Sequence, residues 1–268
     1  MSDKPPAILW IRRDLRLSDH PAMKAAKDAG GPVIPVYIRD DLVNGLGAAP
    51  KWRLGLSIEA YGKSLEGVGS KLILRSGKAV DVLKALIDET GATSVHWHRA
   101  YDPESIARDT DVKSALKVAG VEAHSHAGHL LFEPWTVETG SGGFYKVYSP
   151  MWKAVRGRDV DGPLQAPSKL PAPDSWPKSE TLEDWALDAA MDRGADVCLP
   201  YQRIGEDKAR DRLYRFTAEI FADYDKQRDF PAVDGTSGRS ENLSLGEISP
   251  RTCWHAGPRA LQGGKAGA

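Results

Sequence analysis

Cysteine is nearly absent from this 268-residue chain, and the two that occur, Cys198 and Cys253, stand far apart with neither a CxxC nor a CxxCH context. They suggest no disulfide framework and no zinc knuckle, and a reduced, cytoplasmic setting is expected. Long apolar runs are missing too. The first, Ala7 to Ile11, is cut short by Arg12 and Arg13, too few residues for a secretory core or a membrane span. Neither sign of charge dominates, with 36 Lys+Arg against 37 Asp+Glu. A chain-wide basic field for nucleic acid is therefore lacking, although a local basic face stays open, since clustering is what a phosphate backbone senses. There is no internal repeat, no GxGxxG and no complete P-loop. Gly62-Lys-Ser64 has Ser57 where the upstream glycine should stand, and it falls inside a helical pattern.

What is present is an ordinary globular composition, 27% charged and 41% hydrophobic, in a length that suits one large or two modest domains. Short runs rich in β-branched and aromatic residues, at 7–11, 33–38, 71–75, 93–97 and 121–124, predict strands. Between them Leu54, Ile58, Tyr61 and Leu65 recur at helical spacing, as do Val80, Leu83 and Leu86, and then Val112, Ala115, Leu116 and Ala119. Strand and helix alternating in this way predict an α/β fold, a doubly wound, Rossmann-like parallel sheet over residues 5–132. Prolines 163, 167, 171, 173 and 177 exclude regular structure over 157–178, and seven acids against two bases over 174–196 read as a solvated connection. Residues 133–198 are thus expected to be a linker. Beyond it Ala209, Leu213, Phe216, Ile220 and Tyr224 share one helical face, the start of a helical second domain over 199–268.

Three groups of residues are candidates for chemistry. Arg12, Arg13, Asp14 and Arg16 crowd the first βα turn, where an α/β sheet usually receives its ligand; an internal ion-pair cluster is favoured over a phosphate surface. His96 and His98, then His124 and His126, alternate along two strands with His129 following, which could converge on zinc. No acidic partner has an obvious place beside them, and a metal site is not expected. The loop from Asp234 to Leu243 offers Thr236, Ser237 and Ser240 hydroxyls between Gly235 and Gly238, suited to a diphosphate. Its bland alternative is that Ser240 and Ser244 cap helices, Ser244 and Glu247 being spaced as a capping box. Ser249-Pro250 marks a fresh helix start.

In order along the chain, Leu9-Trp-Ile-Arg-Arg-Asp-Leu-Arg-Leu-Ser-Asp-His-Pro21, Arg108-Asp109, Phe132-Glu-Pro134, Tyr145-Lys-Val-Tyr-Ser-Pro150, Arg228-Asp-Phe-Pro231, Gly235-Thr-Ser237 and Gly246-Glu-Ile-Ser-Pro-Arg251 resemble the photolyase and cryptochrome family. The resemblance implies an antenna-chromophore domain followed by the start of an all-helical FAD-binding domain. It implies light-dependent repair of pyrimidine dimers in DNA by a deoxyribodipyrimidine photo-lyase using reduced FAD, the dimer being flipped out of the duplex. A blue-light receptor of the cryptochrome type and a stand-alone α/β chromophore-binding or nucleotide-binding module are the alternatives.

Tyr224, Thr236, Ser237, Gly238, Arg239 and Ser240 map onto the flavin-phosphate segment, and Arg228 onto the DNA-facing edge of the pocket. Arg239 stands where leucine is usual and Glu241 where proline is common. The segments that would carry the isoalloxazine pocket and the tryptophan electron chain have no counterpart here. No catalytic residue and no electron-transfer role for the eight tryptophans is therefore assigned. Folate-using relatives carry an Asn-Glu pair where this chain has Glu104 and Ser105, so methenyltetrahydrofolate is disfavoured, leaving a deazaflavin, a flavin or no antenna. A monomer without membrane association is expected.

Overall fold

The computed structural model describes residues 4–264. Strands β1 (Ala7–Ile11), β2 (Val33–Arg39), β3 (Ile73–Ser76), β4 (Ser94–His98) and β5 (Glu122–His126) form one parallel sheet in the order β3-β2-β1-β4-β5. Helices α1 (Pro21–Asp28), α2 (Asp41–Asn44), α3 (Ala48–Gly67), α4 (Ala79–Thr90) and α5 (Pro103–Val118) make the crossovers. The strand order reverses between β1 and β4, which defines the switch point of a doubly wound sheet. Local signals set the helix ends. Pro21 and Pro103 open α1 and α5 behind capping side chains of His20 and Asp102, and Gly91 at φ 68° closes α4.

Two apolar layers sandwich the sheet. On one face Ile8, Trp10, Ile34, Val36, Val95 and Trp97 pack against Leu83 and Leu86 of α4 and Val112 and Leu116 of α5. On the other Leu9, Ile11, Val33 and Tyr37 meet Met23 of α1 and Leu54, Ile58, Tyr61 and Leu65 of α3. The periodicities read from sequence thus point where the packing needs them, except that at the end of α5 Ala115 is half-buried and Ala119 exposed.

The second face draws on residues far down the chain. Leu170, fully buried, and Trp185 and Leu187 belong to it. The proline-rich segment has no regular element, as its composition predicts, yet it is not a free connection. The Leu170 N–H donates to the Val68 carbonyl (2.9 Å) and the Val33 N–H to that of Pro171 (2.8 Å), strapping it across the layer. The solvated acidic stretch is likewise split: Asp174, Glu183, Asp184 and Asp188 are exposed, while Trp185 beside them is buried and donates its indole N–H to Glu180 (2.6 Å). Periodicity rules miss such segments because apolar anchors without a period leave no pattern.

After α6 (Tyr148–Val155), α7 (Leu182–Trp185) and α8 (Gly194–Cys198) comes the helical portion. It comprises α9 (Gly205–Arg215), a π-helical turn (Phe216–Ile220), α10 (Tyr224–Gln227), α11 (Ser240–Ser244) and α12 (Pro250–Gly264). The single long stripe predicted through Tyr224 is broken at the π turn; Ala209, Leu213 and Phe216 are buried, whereas Ile220 and Tyr224 are only half-buried. A π turn inserts one residue, which rotates everything after it off the original face. No described helix is long and apolar enough to cross a membrane.

At the β4/β5 end the sheet is histidine-rich where an apolar layer would be expected. Strand β4 contributes no residue to the second layer, presenting Ser94, His96 and His98 on that side. His96 stacks on His124 (centroids 4.8 Å apart), and its Nδ1 lies 3.1 Å from His126 Nε2. Burial, reinforced by neighbouring imidazoles, holds His96 and His126 down at about 4, and burial holds His129 at about 4 as well.

Two outcomes follow. Leu170→Ala should cost about 2–5 kcal/mol in chemical denaturation, as a buried core truncation does and an exposed linker substitution does not. Between pH 6.5 and about 4 the unfolded chain binds protons that folded His96, His126 and His129 refuse. Stability should therefore be full above pH 6.5 and decline as pH falls through that window, before the depressed Asp14 titrates. Calorimetric melting temperatures at half-unit pH steps would check the decline, and a flat profile from pH 7 to 5 would refute it.

Candidate functional site

The first βα turn, the predicted ligand position, is filled by its own side chains. Asp14, almost wholly buried, accepts from the Arg12 backbone N–H (2.7 Å) and from His98 Nδ1 (2.7 Å). His20 Nδ1 accepts the Met23 N–H (3.0 Å), so its own proton sits on Nε2, 3.3 Å from the same Asp14 oxygen. Burial alone would raise the Asp14 carboxyl, but His20 and His98 pull it well below the usual range. Burial, chiefly, drives His98 well below its own.

Among the described residues Asp14, His20 and His98 form the group whose potential metal-ligand atoms lie within 4.8 Å of one another. A His20 protonated at Nε2 has no lone pair to offer there, so the trio supports the turn through the His98–Asp14 hydrogen bond and the close electrostatic contact of His20 with the same carboxylate. The strand histidines singled out by sequence divide accordingly: His98 joins Asp14, His129 packs edge-on against His98 (5.5 Å), and His96, His124 and His126 stack together.

Arg12 pairs with Asp109 (2.7 Å), Arg108 with Asp40 (2.7 Å) and Asp109 (3.0 Å), and both guanidinium groups lie over the Trp10 ring at 4.6 and 4.8 Å. Arg16, fully buried, donates to the carbonyls of Asp19 (2.9 Å), Gly128 (3.1 Å) and Gly246 (3.0 Å). Only Arg13 is exposed, reaching the Ser244 carbonyl (2.7 Å). The turn is an internal, structural cluster as the sequence reading favoured, but of its arginines only Arg12 makes an ion pair; Arg13 and Arg16 donate to carbonyls, and Asp14 faces histidines and a backbone N–H.

That turn also holds the second half of the chain. Glu206 accepts from the Leu17 N–H (2.6 Å) and from Ser18, and Arg251 of α12 pairs with Asp19. Glu247 is fully buried and receives Arg53, Ser57 (2.8 Å), Asn242 Nδ2 (2.6 Å) and the Gly205 N–H (2.8 Å). Sequence spacing assigned Glu247 to a capping box with Ser244, but the Ser244 hydroxyl donates back to the Glu241 carbonyl (3.0 Å) and Glu247 points inward. Ser240 caps nothing either, since α11 starts with Arg239 at its N-cap and has no side-chain cap. Ser249 does cap α12, accepting the Thr252 N–H (3.0 Å) ahead of Pro250.

The predicted phosphate loop keeps its hydroxyls uncommitted. Thr236 and Ser240 are exposed and Ser237 half-buried, and their hydroxyls form no hydrogen bond with another described residue. Gly235 is buried against α10; a Cβ there would lie 2.8 Å from Gln227 Cβ and 2.9 Å from its carbonyl oxygen. Gly238, at φ 57°, turns its carbonyl to Arg212 Nη1 (2.8 Å). Arg239 lies over the Phe216 ring (5.0 Å), with its Nε and Nη1 buried and lacking any acceptor, and burial lowers its pKa. Tyr224 meets Phe216 edge-on (5.6 Å), and Arg228, half-exposed, sits 5.7 Å over the Tyr224 ring. Tyr224, Arg228, Gly235 and Arg239 are thus gathered around Phe216 and α10. A cleft of about 450 Å³ lies beside α12, lined by His129, Leu131, Leu243, Pro250, Cys253 and Trp254.

Residues 7–173 match the DNA photolyase family. The chain is 46% identical over 257 residues to the deoxyribodipyrimidine photo-lyase of Agrobacterium fabrum, covering 94% of this chain and 53% of that protein. It is 30% identical to cryptochrome-2 of Arabidopsis thaliana, over 91% of this chain and 41% of that one. The crystal structure of a bacterial class III photolyase from Agrobacterium tumefaciens superposes with a TM-score of 0.89 at 44% identity, covering 96% of this chain and 53% of that protein. The chain spans about half the length of the curated photo-lyases it matches. A parallel sheet in this order, an arginine-rich first turn tied to a helical portion, and matching sequence along nearly all of the chain agree: the chain belongs to the DNA photolyase family.

Proposed function

We propose that this chain is the α/β portion and the diphosphate-holding start of the helical portion of a monomeric, cytoplasmic flavoprotein that repairs pyrimidine dimers in DNA under light. The observation that carries the reading is the loop of free hydroxyls at Thr236, Ser237 and Ser240 beside an arginine without an acceptor. That donor set fits FAD at its diphosphate, where neutral O–H donors and one cation match the charged oxygens. Tyr224, packed on Phe216, walls the loop, and Gly238 lets the backbone approach closely. Bound reduced flavin would supply a light-driven electron to the dimer. The share of these residues is to seat and orient it, and Arg228 presents a cation at the exposed rim for a DNA phosphate. Likeness to cryptochrome-2 keeps a blue-light receptor as the second reading.

Two side chains support the reading that folate is not the antenna. Glu104 is exposed on the first turn of α5, and Ser105 is buried with its N–H given to Asp102 (2.9 Å), so the pair offers a carboxylate and a short hydroxyl where a pterin edge would meet an amide and a carboxylate. At the switch point a flavin or deazaflavin would have to part Arg108 from Asp40 and Arg12 from Asp109.

Titration should show FAD and ADP binding while riboflavin, which lacks the diphosphate, does not. Replacing Thr236 with Val and Ser240 with Ala together should weaken both on the order of tenfold. Equal affinity for riboflavin and FAD would overturn the reading. Purified residues 1–268 should show no light-dependent loss of thymine dimers at the rate of an intact photolyase, since the resemblance places the isoalloxazine pocket on residues outside this sequence. Methenyltetrahydrofolate, followed by its near-ultraviolet absorption, should not bind at micromolar concentration; such binding, abolished by Glu104→Ala, would refute the antenna assignment.

A further inference from the structure

The second layer of the sheet changes character at its β4/β5 edge, where imidazoles replace aliphatic side chains. His96 of β4 stands opposite His124 of β5 in the parallel register, and its ring stacks on both His124 and His126, with centroids 4.8 and 5.4 Å away. Glu122, His124 and His126 alternate along β5 and so share one face of the strand. His96 is buried, His126 half-buried and His124 exposed, so the group opens to solvent along the outer strand.

His96 Nδ1 and His126 Nε2 are 3.1 Å apart, a spacing bridged by one proton. Two nitrogens bound to tetrahedral zinc at about 2.0–2.1 Å stand roughly 3.3 Å from each other, so an ion can take that proton's place with a small opening of the pair. The outer nitrogens are already held. His96 Nε2 is 3.3 Å from the Ser94 hydroxyl, and His124 Nε2 is 2.9 Å from Glu122. With each Nε2–H donated outward, Nδ1 is the lone-pair atom of both rings, and a carboxylate behind an imidazole is the usual outer support of a metal-bound histidine. Sequence spacing offered these histidines no acidic partner; in the structure Glu122 is that partner. The group is separate from His20 and His98, whose imidazoles face the Asp14 carboxylate.

We propose that His96, His124 and His126 form a binding site for a divalent transition-metal ion of the zinc type, with His96 Nδ1, His126 Nε2 and His124 Nδ1 as ligands and a water completing the tetrahedron. His124 is the ligand that must move. Its ring stacks on His96, and its exposed side chain turns to aim Nδ1 at the ion, with exposed Glu122 following. Each histidine stays neutral, His126 carrying its proton on Nδ1, so no proton is gained or lost. The neighbouring cation, Arg99, is drawn away to Glu133 (3.0 Å). Imidazole ligands select zinc, cobalt, nickel or copper over magnesium and calcium. The bound ion would fasten the outer strand β5 to β4.

Cobalt reports the coordination directly, because four-coordinate cobalt absorbs visible light strongly and six-coordinate cobalt faintly. The 268-residue chain, purified without a histidine tag, would be titrated with cobalt chloride and then with zinc chloride, alongside His124→Ala, His126→Gln and Glu122→Gln. One equivalent of cobalt should bind with the strong spectrum, zinc should displace it, and magnesium should not. His124→Ala and His126→Gln should each weaken cobalt binding on the order of tenfold or more, and Glu122→Gln, whose side chain does not touch the ion, on the order of tenfold. Zinc should raise the melting temperature of the wild type more than that of His124→Ala, a substitution at an exposed position that leaves the fold intact. A faint, six-coordinate spectrum, the absence of binding below millimolar cobalt, or binding as tight in either histidine variant as in the wild type overturns the inference.

Discussion

The carboxylate of Glu247 lies at the centre of the joint between the two halves of this molecule. Fully out of water, it is surrounded by donors from three places: Arg53 and Ser57 of α3, the Gly205 N–H that opens α9, and Asn242 of α11. A buried charge is tolerated only when its lone pairs are filled, and removing one member of such a group typically costs roughly 3–5 kcal/mol. The geometry is correspondingly specific. Asn242, five residues earlier, closes the group locally, whereas Arg53 and Ser57 reach Glu247 only when the segment after α11 lies against α3, which fixes where that segment sits.

Around this centre the first βα turn works in both directions. Asp14 faces the sheet and stiffens the turn through His98 and the Arg12 N–H, while Arg16 and Asp19, equally buried, face the helical portion and take hold of Gly246 and Arg251. The Leu15 N–H donates to the Leu245 carbonyl (3.2 Å), so backbone meets backbone across the joint. Gly246, at φ 68°, lies so close to the Arg13 carbonyl that any Cβ would overlap it. The seat proposed for an anionic ligand therefore stands on a platform supplied largely by the α/β portion.

The sheet was readable from sequence because each strand and each crossover helix carries its own period. Leu54, Ile58, Tyr61 and Leu65 could face only one way once α3 formed, and all four are buried there. Leu170, Trp185 and Leu187 were not readable as core, since isolated anchors among prolines and acids have no repeat to detect. The arginines of the first turn could be read as an ion-pair cluster, but not their partners: Asp109 is 97 residues from Arg12 and Gly246 is 230 from Arg16. Spacing rules see only short separations. For the same reason Ser244 and Glu247 resembled a capping box, although the energy of filling a buried carboxylate from α3 outweighs a local cap. The phosphate loop was legible in composition, whereas the isolation of Arg239 depends on which neighbouring acids are already taken.

The two faces of the sheet close at different points along the chain, which matters for how the protein emerges from the ribosome. Every buried member of the layer under α4 and α5 has been made once Leu116 is synthesised, but the opposite layer waits for Leu170, Trp185 and Leu187, about seventy residues later. At roughly 5–20 residues per second this leaves one apolar face of a nearly formed sheet, packed only by α1 and α3, incompletely covered for several seconds in each round of synthesis. The proline-rich strap is the late-arriving cover for that face. A nascent chain paused between Leu116 and Leu170 would be the form most in need of a chaperone.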